Sequence, residues 1–434
     1  MISLLLTKFQ VSKKFSSDVL WNIGSFCVMG LSGVLLNVLI ARFFALDILG
    51  GFNQVFSIYI LFSQFAVCGI HLSVVKYLSE ITNKDKNFNN IIFSALISVS
   101  IIAFFVCLIV FQFIPFIGEL LNSLLVRNGL YFVLPGLWFF SLNKVLIAVL
   151  NGNRRMKAFA FFQAARYIFI VSVIIFCIMM HWNGEMLPIV FTIAELILFI
   201  CLFLYVFFSM SLYFPKKASF NNDLMFWFKK HVIFGTKAFL GGALGEINTR
   251  VDVLMLGVFC SDHIVGIYSF AAILVEGIAQ FMFVFRANVN PIISRLFINR
   301  ELEKLKYKIS RGIRLFYCLM IVVGVIATIV YPFCLEMFIK NNNYNVSWVI
   351  FSILMFGVMC SSGYYPFNMI LTQTGFAGYN TIFIGCIVLT NALLNLLLIP
   401  SFGMYGAAIA TSIAFVCSIF YLKIFVRKLL KIRI

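Results

Sequence analysis

The sequence predicts an all-α, polytopic membrane protein, with about twelve spans arranged as two six-helix lobes related by a parallel repeat. Three observations carry this. The 434-residue chain is 63% hydrophobic and only 11% charged, where soluble domains are near 25% charged. Apolar windows of membrane-spanning length recur from end to end and leave no soluble domain over. Lysine and arginine fall almost entirely into alternate loops, which fixes the orientation of the spans.

The first apolar run, residues 2–6, is too short for a signal peptide core, and no small-residue cleavage site precedes Trp21. Twelve spans follow, at 18–42, 48–78, 90–113, 119–150, 157–180, 186–213, 231–259, 264–294, 309–331, 346–373, 378–399 and 404–426. Asn-rich links at 83–90 and 340–345 separate spans. Pro115, Pro215, Pro332 and Pro400 are expected at span ends, and Pro135, Pro291 and Pro366 are expected to kink helices.

Of the 33 lysines and arginines, 24 lie in the amino-terminal segment, the even-numbered loops and the carboxyl tail. They include Lys8, Lys84, Lys86, Arg154, Arg155, Lys216, Lys217, Arg300, Lys304, Lys306, Lys308 and Arg433. The odd-numbered loops hold only Arg42 and Lys340. Both termini are therefore expected in the cytoplasm, and Lys304, Lys306 and Lys308 at the inner headgroups. The net charge of +18 is explained by this placement, so nucleic acid is not an expected partner. The eleven cysteines are scattered without a C-x-x-C and read as small buried hydrophobes. The four histidines have no metal-ligand spacing, and no metal is expected.

The halves echo one another. Residues 47–52 (Asp47, Ile48, Leu49, Gly50, Gly51, Phe52) resemble residues 263–268 (His263, Ile264, Val265, Gly266, Ile267, Tyr268), at an offset of 216. Six spans per half return the chain to the same side, so the expected domains are residues 1–215 and 216–434. A parallel repeat places a substrate site between the halves.

The chain is organised around residues 237–257. This apolar stretch carries Lys237, Glu246, Arg250 and Asp252. A charge at membrane depth costs about 2.5–3.5 kcal/mol on insertion scales, so four together need a reason. Gly241, Gly242 and Gly245 are expected to weaken the helix where the charges begin. At about 100° per residue, Lys237, Asn248 and Asp252 share a face that reads as a cavity wall, while Glu246 and Arg250 sit at i,i+4. That pair is either structural or a gate.

Seven bases lie in or near spans: Lys76, Arg127, Lys144, Arg166, Lys237, Arg250 and Arg286. Lys76, Arg127 and Arg286 are placed to snorkel. Four acids lie at depth: Glu195, Glu246, Asp252 and Glu276. A surplus of buried positive charge suits an anionic ligand, and arginine suits phosphate because its planar fork donates two parallel hydrogen bonds. Glu195 and Glu276 each read as lone carboxylates able to take up a proton. Asn37, Asn143, Asn391 and Asn395 read as interhelical glue.

Residues 248–257 (Asn-Thr-Arg-Val-Asp-Val-Leu-Met-Leu-Gly), followed by Val265, Gly266, Ile267 and Tyr268, resemble the polysaccharide-transporter, or O-antigen flippase, branch of the multidrug/oligosaccharidyl-lipid/polysaccharide exporter superfamily. Arg42 through Gly50, and the Gly/Ala-rich opening of the last span at 403–411, support the resemblance, which covers the whole chain. It implies two lobes around a positively charged cavity and alternating access. The implied substrate is an undecaprenyl-pyrophosphate-linked oligosaccharide, moved across a bacterial inner membrane. Lipid II flippases of the superfamily carry two further spans that are not found here.

On this reading Lys144, Arg166, Lys237, Asn248, Arg250 and Arg42 are the substrate-binding candidates. Glu246, Asp252, Glu276 and Glu195 are the candidates for a gate or for H+ or Na+ coupling. No other cofactor is expected. Membrane lipids and other polysaccharide-assembly proteins are the expected partners. A cation-coupled drug exporter, or a membrane-embedded polymerase or glycosyltransferase, is the alternative. The latter expects a long external loop with clustered acids or arginines, and residues 332–346 offer only Glu336 and Lys340.

Overall fold

The structure is a computed structural model describing residues 13–81, 87–210, 222–338 and 346–432. Lys8, Lys84, Lys86, Pro215, Lys216, Lys217, Lys340 and Arg433 lie outside the described residues. Within them the chain is helical, with no strand. In order, the helices are α1 (Lys13–Phe43), α2 (Leu46–Val67), α3 (Ile70–Ser79), α4 (Asn87–Leu120), α5 (Leu124–Gly152), α6 (Met156–Met179) and α7 (Ile189–Ser209) in the first half. The second half has α8 (Asn222–Asn248), α9 (Val251–Phe259), α10 (Asp262–Ile298), α11 (Leu302–Phe338), α12 (Ser347–Ser361), α13 (Ile370–Gln373) and α14 (Ala377–Leu430).

Nine helices among the described residues are long and apolar enough to cross a membrane. The count is ten if the bent pair Ser347–Ser361 and Tyr365–Gln373 is one span. The difference from the expected twelve has two local causes. The seventh expected span is cut into α8 and the nine-residue α9. The last two expected spans form one continuous element, interrupted at Gly403 by a backbone (φ 56, ψ −132) that glycine tolerates and other residues rarely adopt. The second expected span is likewise cut, into α2 and α3, where Cys68 and Gly69 both take left-handed backbone.

The prolines fall differently from expectation. Pro115, Pro332 and Pro400 lie inside helices, which neighbouring helices permit within a membrane. Pro135 and Pro291 also lie inside helices, and Pro366 sits in the 3₁₀ turn Tyr365–Phe367 at the 57° bend. Four of the cysteines, Cys27, Cys201, Cys318 and Cys334, are exposed on the apolar exterior, contrary to the buried placement expected.

Call the end at which α1 stops distal and the end nearest Lys13 proximal. At the distal end α2 and α10 cross with no side chain between them. A Cβ on Gly50 would overlap the Asp262 carbonyl oxygen, and a Cβ on Gly266 would overlap the Leu46 carbonyl oxygen. Asp47 and His263 approach to 3.7 Å at the rim of the crossing. The offset of 216 turns Gly50 into Gly266 and Leu46 into Asp262, so the two glycine contacts exchange and the contact is locally two-fold.

Toward the proximal end, α8 packs on α2, α3 and α4 of the first half. Gly69 and Gly235 meet backbone to backbone. His231 is fully buried, with Nδ1 2.6 Å from Ser73 Oγ and Nε2 donating to the Ile91 carbonyl at 3.1 Å. One apolar core runs through the first half and into α9, α10, α11, α12 and the part of α14 from Ile399 onward. A smaller one lies proximally among α10, α11, α13 and α14.

Candidate functional site

Charges collect where the halves meet: Glu195 is buried, Lys144, Arg166, Arg250 and Glu276 are half-buried, and Glu246 is exposed. Lys144 (α5), Arg166 (α6) and Glu195 (α7) come from the first half. Glu246 (end of α8), Arg250 (start of α9) and Glu276 (α10) come from the second. Lys144 interacts electrostatically with Glu246, Arg166 and Glu195. Glu276 does so with Arg250, Asp252 and Glu246, and Tyr167 lies among Arg166, Glu246, Arg250 and Glu195. One network therefore spans both halves.

Glu195 is not the lone carboxylate expected. Its Oε1 lies 2.8 Å from Arg166 Nε, and Asn143 Nδ2 donates to its Oε2 at 2.8 Å and to its backbone oxygen at 2.9 Å. Arg166 Nη2 remains buried without an acceptor. The guanidinium also covers Phe140, 4.3 Å from the ring centre, and Lys144 Nζ reaches the same ring at 5.5 Å. Asn143 holds helices together, as expected.

The helix break that positions Arg250 falls later than expected. Gly241, Gly242 and Gly245 stay inside α8. The chain tightens at Thr249 and Arg250, whose N–H groups donate three residues back to Glu246 and Ile247. This break has three effects. It carries Arg250 across to the first half, over Phe56 at 5.0 Å. It separates Glu246 from Arg250, and no ion pair within 4.0 Å joins them. It removes the expected stripe of Lys237, Asn248 and Asp252.

Asp252 is buried within the second half. It accepts from Tyr268 (2.7 Å), Thr411 (3.0 Å) and Asn391 (3.4 Å), and Asn395 in turn donates to Asn391 at 3.1 Å. Three neutral side chains thus donate to one carboxylate, a fourth steadies Asn391, and no cation lies in the hydrogen-bond shell.

The remaining candidates lie elsewhere. Lys237 is exposed on α8, and Arg42 is exposed at the distal end of α1 beside Phe43. Lys76 and Arg127 are exposed near helix ends, in keeping with snorkelling. Arg286 is not snorkelling: it donates to Asn368 at 3.2 Å and lies 4.2 Å from the Phe283 ring centre. The cationic surplus read from the sequence is therefore not concentrated at the centre. There three bases face three carboxylates.

What marks the centre as a site is its unsatisfied polar atoms. Tyr59 Oη, His71 Nδ1, Arg166 Nη2, Asn248 Oδ1 and Arg250 Nε are buried with no partner. Tyr59 interacts electrostatically with Glu195 and Arg166, and His71 with Lys144, so at least these belong to the same network. Buried orphans cost about 1–3 kcal/mol each, and such groups are normally paired by water or a ligand. The sequence reading missed Tyr59, His71 and Tyr167. The polar residues of α2 (Asn53, Gln54, Ser57) inside an apolar span were the available signal. An outward-facing groove of about 300 Å³ between α4, α5 and α7, lined by Phe93, Trp138 and Phe199, is apolar and contains none of the charged residues.

The described residues thus form a multi-pass helical bundle with a charged, underbonded interface between its halves. The chain matches the family described as polysaccharide biosynthesis protein over residues 16–297, and it belongs to that family. Its fold is similar to that of the lipid II flippase MurJ in an inward closed conformation. The TM-score is 0.74 at 17% identity, covering 94% of this chain and 87% of that one. It is also similar to an inward-facing multidrug resistance MATE family transporter of the MOP superfamily, with TM-score 0.71 at 13% identity, covering 92% and 94%. The MATE multidrug transporter DinF-BH gives TM-score 0.64 at 16% identity, covering 96% of each chain. No curated protein matches in sequence.

Proposed function

We propose that this protein is a flippase for undecaprenyl-pyrophosphate-linked oligosaccharide, such as an O-antigen or capsule repeat unit, in a bacterial inner membrane. Both termini and the proximal end face the cytoplasm on this reading. The basic turns at Arg154–Lys157 and Arg295–Arg314 support that orientation. The lipid tail stays in the bilayer while the charged head passes between the halves by alternating access.

The observation that carries this is the meeting of Lys144, Arg166 and Arg250 from both halves, with Arg166 Nη2 and Arg250 Nε buried and unbonded. Unused guanidinium N–H groups at membrane depth fit phosphate oxygens, which accept in pairs. Glu246 and Glu276 lie among the same cations. When either takes up H+, or binds Na+, a cation is released to the head, so anion binding and cation uptake favour each other. Asp252, with its polar shell, is a second place for coupling.

The drug-exporter reading is less well supported. An organic cation needs a free carboxylate in the first half, and Glu195, the acid buried there, is already held by Arg166 and Asn143.

The test is genetic. Deleting the gene should accumulate lipid-linked repeat units on the cytoplasmic side. Arg250→Ala and Lys144→Ala should reach the membrane yet fail to restore surface polysaccharide, and Arg250→Lys should restore little, because an ammonium cannot make the two parallel bonds. Lys237→Ala and Arg42→Ala should do less harm, since both side chains stand outside the network. Normal polysaccharide from Arg250→Ala and Lys144→Ala together would remove the cations from the mechanism.

A further inference from the structure

We propose that the Asp262 carboxylate is the latch that keeps the distal end of the two halves closed, and that it releases once in each transport cycle. The proposal rests on the transporter reading above and adds the residue that gates its distal side.

Asp262 opens α10, in the second half, yet among the described residues both of its side-chain hydrogen bonds come from the first half. Gln54 Nε2 donates to Oδ1 at 2.6 Å, and Ser123 Oγ donates to Oδ2 at 2.6 Å. Each partner is fixed in place. Ser123 caps α5, accepting from the Val126 N–H at 3.1 Å. Gln54 is fully buried and reaches Asp262 past Gly257, where a Cβ would overlap its Oε1. One carboxylate thus ties α2 and the start of α5 to α10 through two charge-assisted bonds, which are about twice as strong as neutral ones.

Beside it, the helices touch through Gly50 and Gly266. A glycine crossing has no interdigitated side chains to disengage. At that crossing only backbone meets backbone, and the hydrogen bonds to Asp262 tie the two halves beside it. The exposed Asp47 and His263 mark the rim. A latch at the water boundary is reversible, because water replaces both donors when it opens. The same two bonds at mid-membrane would leave a bare carboxylate.

Two measurements test this in a cysteine-free background that still exports polysaccharide. In the first, Asp47→Cys and His263→Cys are joined by a short bis-methanethiosulfonate, cleaved later by dithiothreitol. Export should stop on cross-linking and return on cleavage, whereas export at the uncross-linked rate would overturn the latch. In the second, Tyr59→Cys, at a buried position beside Glu195 and Arg166, reports access to the centre from the distal side by a membrane-impermeant maleimide. Asp262→Ala should raise its labelling rate at least tenfold, and an unchanged rate would overturn the proposal. Gln54→Leu, which removes one donor and keeps the carboxylate, should raise labelling severalfold and serves if Asp262→Ala does not reach the membrane. If gene deletion leaves export intact, the flippase reading fails while the labelling still decides the latch.

Discussion

The glycine crossing at the distal end gives the sharpest stability test. Gly50→Ala places a Cβ onto the Asp262 carbonyl oxygen and within 2.9 Å of the Gly266 nitrogen. Both obstacles are backbone, so neither can rotate away, and the helices must separate. Overpacking of this kind costs about 1–3 kcal/mol, and a backbone obstacle belongs at the upper end. Alanine returns about 1 kcal/mol of helix propensity. The net expected loss is about 2 kcal/mol. Gly266→Ala, which meets the Leu46 carbonyl and the Gly50 nitrogen, should cost about the same. Once either substitution has spread the helices, the other meets less obstruction, so the double variant should cost clearly less than the sum. Gly33→Ala is the control: nothing lies within 4 Å of its Cβ position, and it should be neutral or gain up to about 1 kcal/mol. Reversible denaturant unfolding of the purified protein in detergent micelles measures all four. Gly50→Ala as stable as Gly33→Ala would refute the close crossing, and additive losses would refute the reciprocal contact.

Other outcomes follow from the buried carboxylates. Glu195→Ala leaves Arg166 without its charged partner and Asn143 with one acceptor fewer. It should cost about 3 kcal/mol in the same unfolding assay, while Glu195→Gln, which keeps an acceptor for Asn143, should cost less. Asp252→Ala strands three donors, from Tyr268, Thr411 and Asn391. It should lose about 3 kcal/mol or more, where Asp252→Asn keeps one acceptor and stays closer to the parent. If Asp252 is a coupling site, Asp252→Asn should also abolish the dependence of export on the pH or Na+ gradient in inverted vesicles. A gradient dependence equal to the parent's would exclude it.

The fold was legible because its signals are coarse and repeated. Span-length apolar windows and alternating basic loops survive errors of several residues, and the motif at 47–52 and 263–268 marks two segments that touch. The site was legible only in its residue types. Lys144, Arg166, Glu246, Arg250 and Glu276 do meet, but the partner choices depend on tertiary geometry. Arg166 and Glu195 are 29 positions apart on neighbouring antiparallel helices, and no helical-wheel argument pairs them. The Glu246–Arg250 pair failed for a local reason. An i,i+4 argument presumes unbroken helix, and the chain tightens between those two residues. The glycines at 241–245 were the obvious place for that break, yet Gly241, Gly242 and Gly245 remained helical while Thr249 did not. Gln54 and Ser123 were passed over because single neutral polar residues in spans are common. Their importance appears only when Asp262, 208 and 139 residues away, comes between them.

Counting charges misjudged the centre, and the correction sharpens the mechanism. The bases outnumber the acids along the sequence, but Lys76, Arg127 and Lys237 are exposed and Arg286 bonds to Asn368. The centre is formally balanced. On the proposed flippase reading, a balanced site binds an anion through donors left unused, and Arg166 Nη2 and Arg250 Nε are such donors. It also costs less to hold between substrates than a bare cluster of cations at membrane depth. A pyrophosphate head carrying about two negative charges would then leave the centre over-negative unless carboxylates were neutralised. On the same reading Glu246 and Glu276, which share their cations without close ion pairs, would be the groups to respond. The balance that removes a simple electrostatic trap is thus what would tie the head's occupancy to a cation.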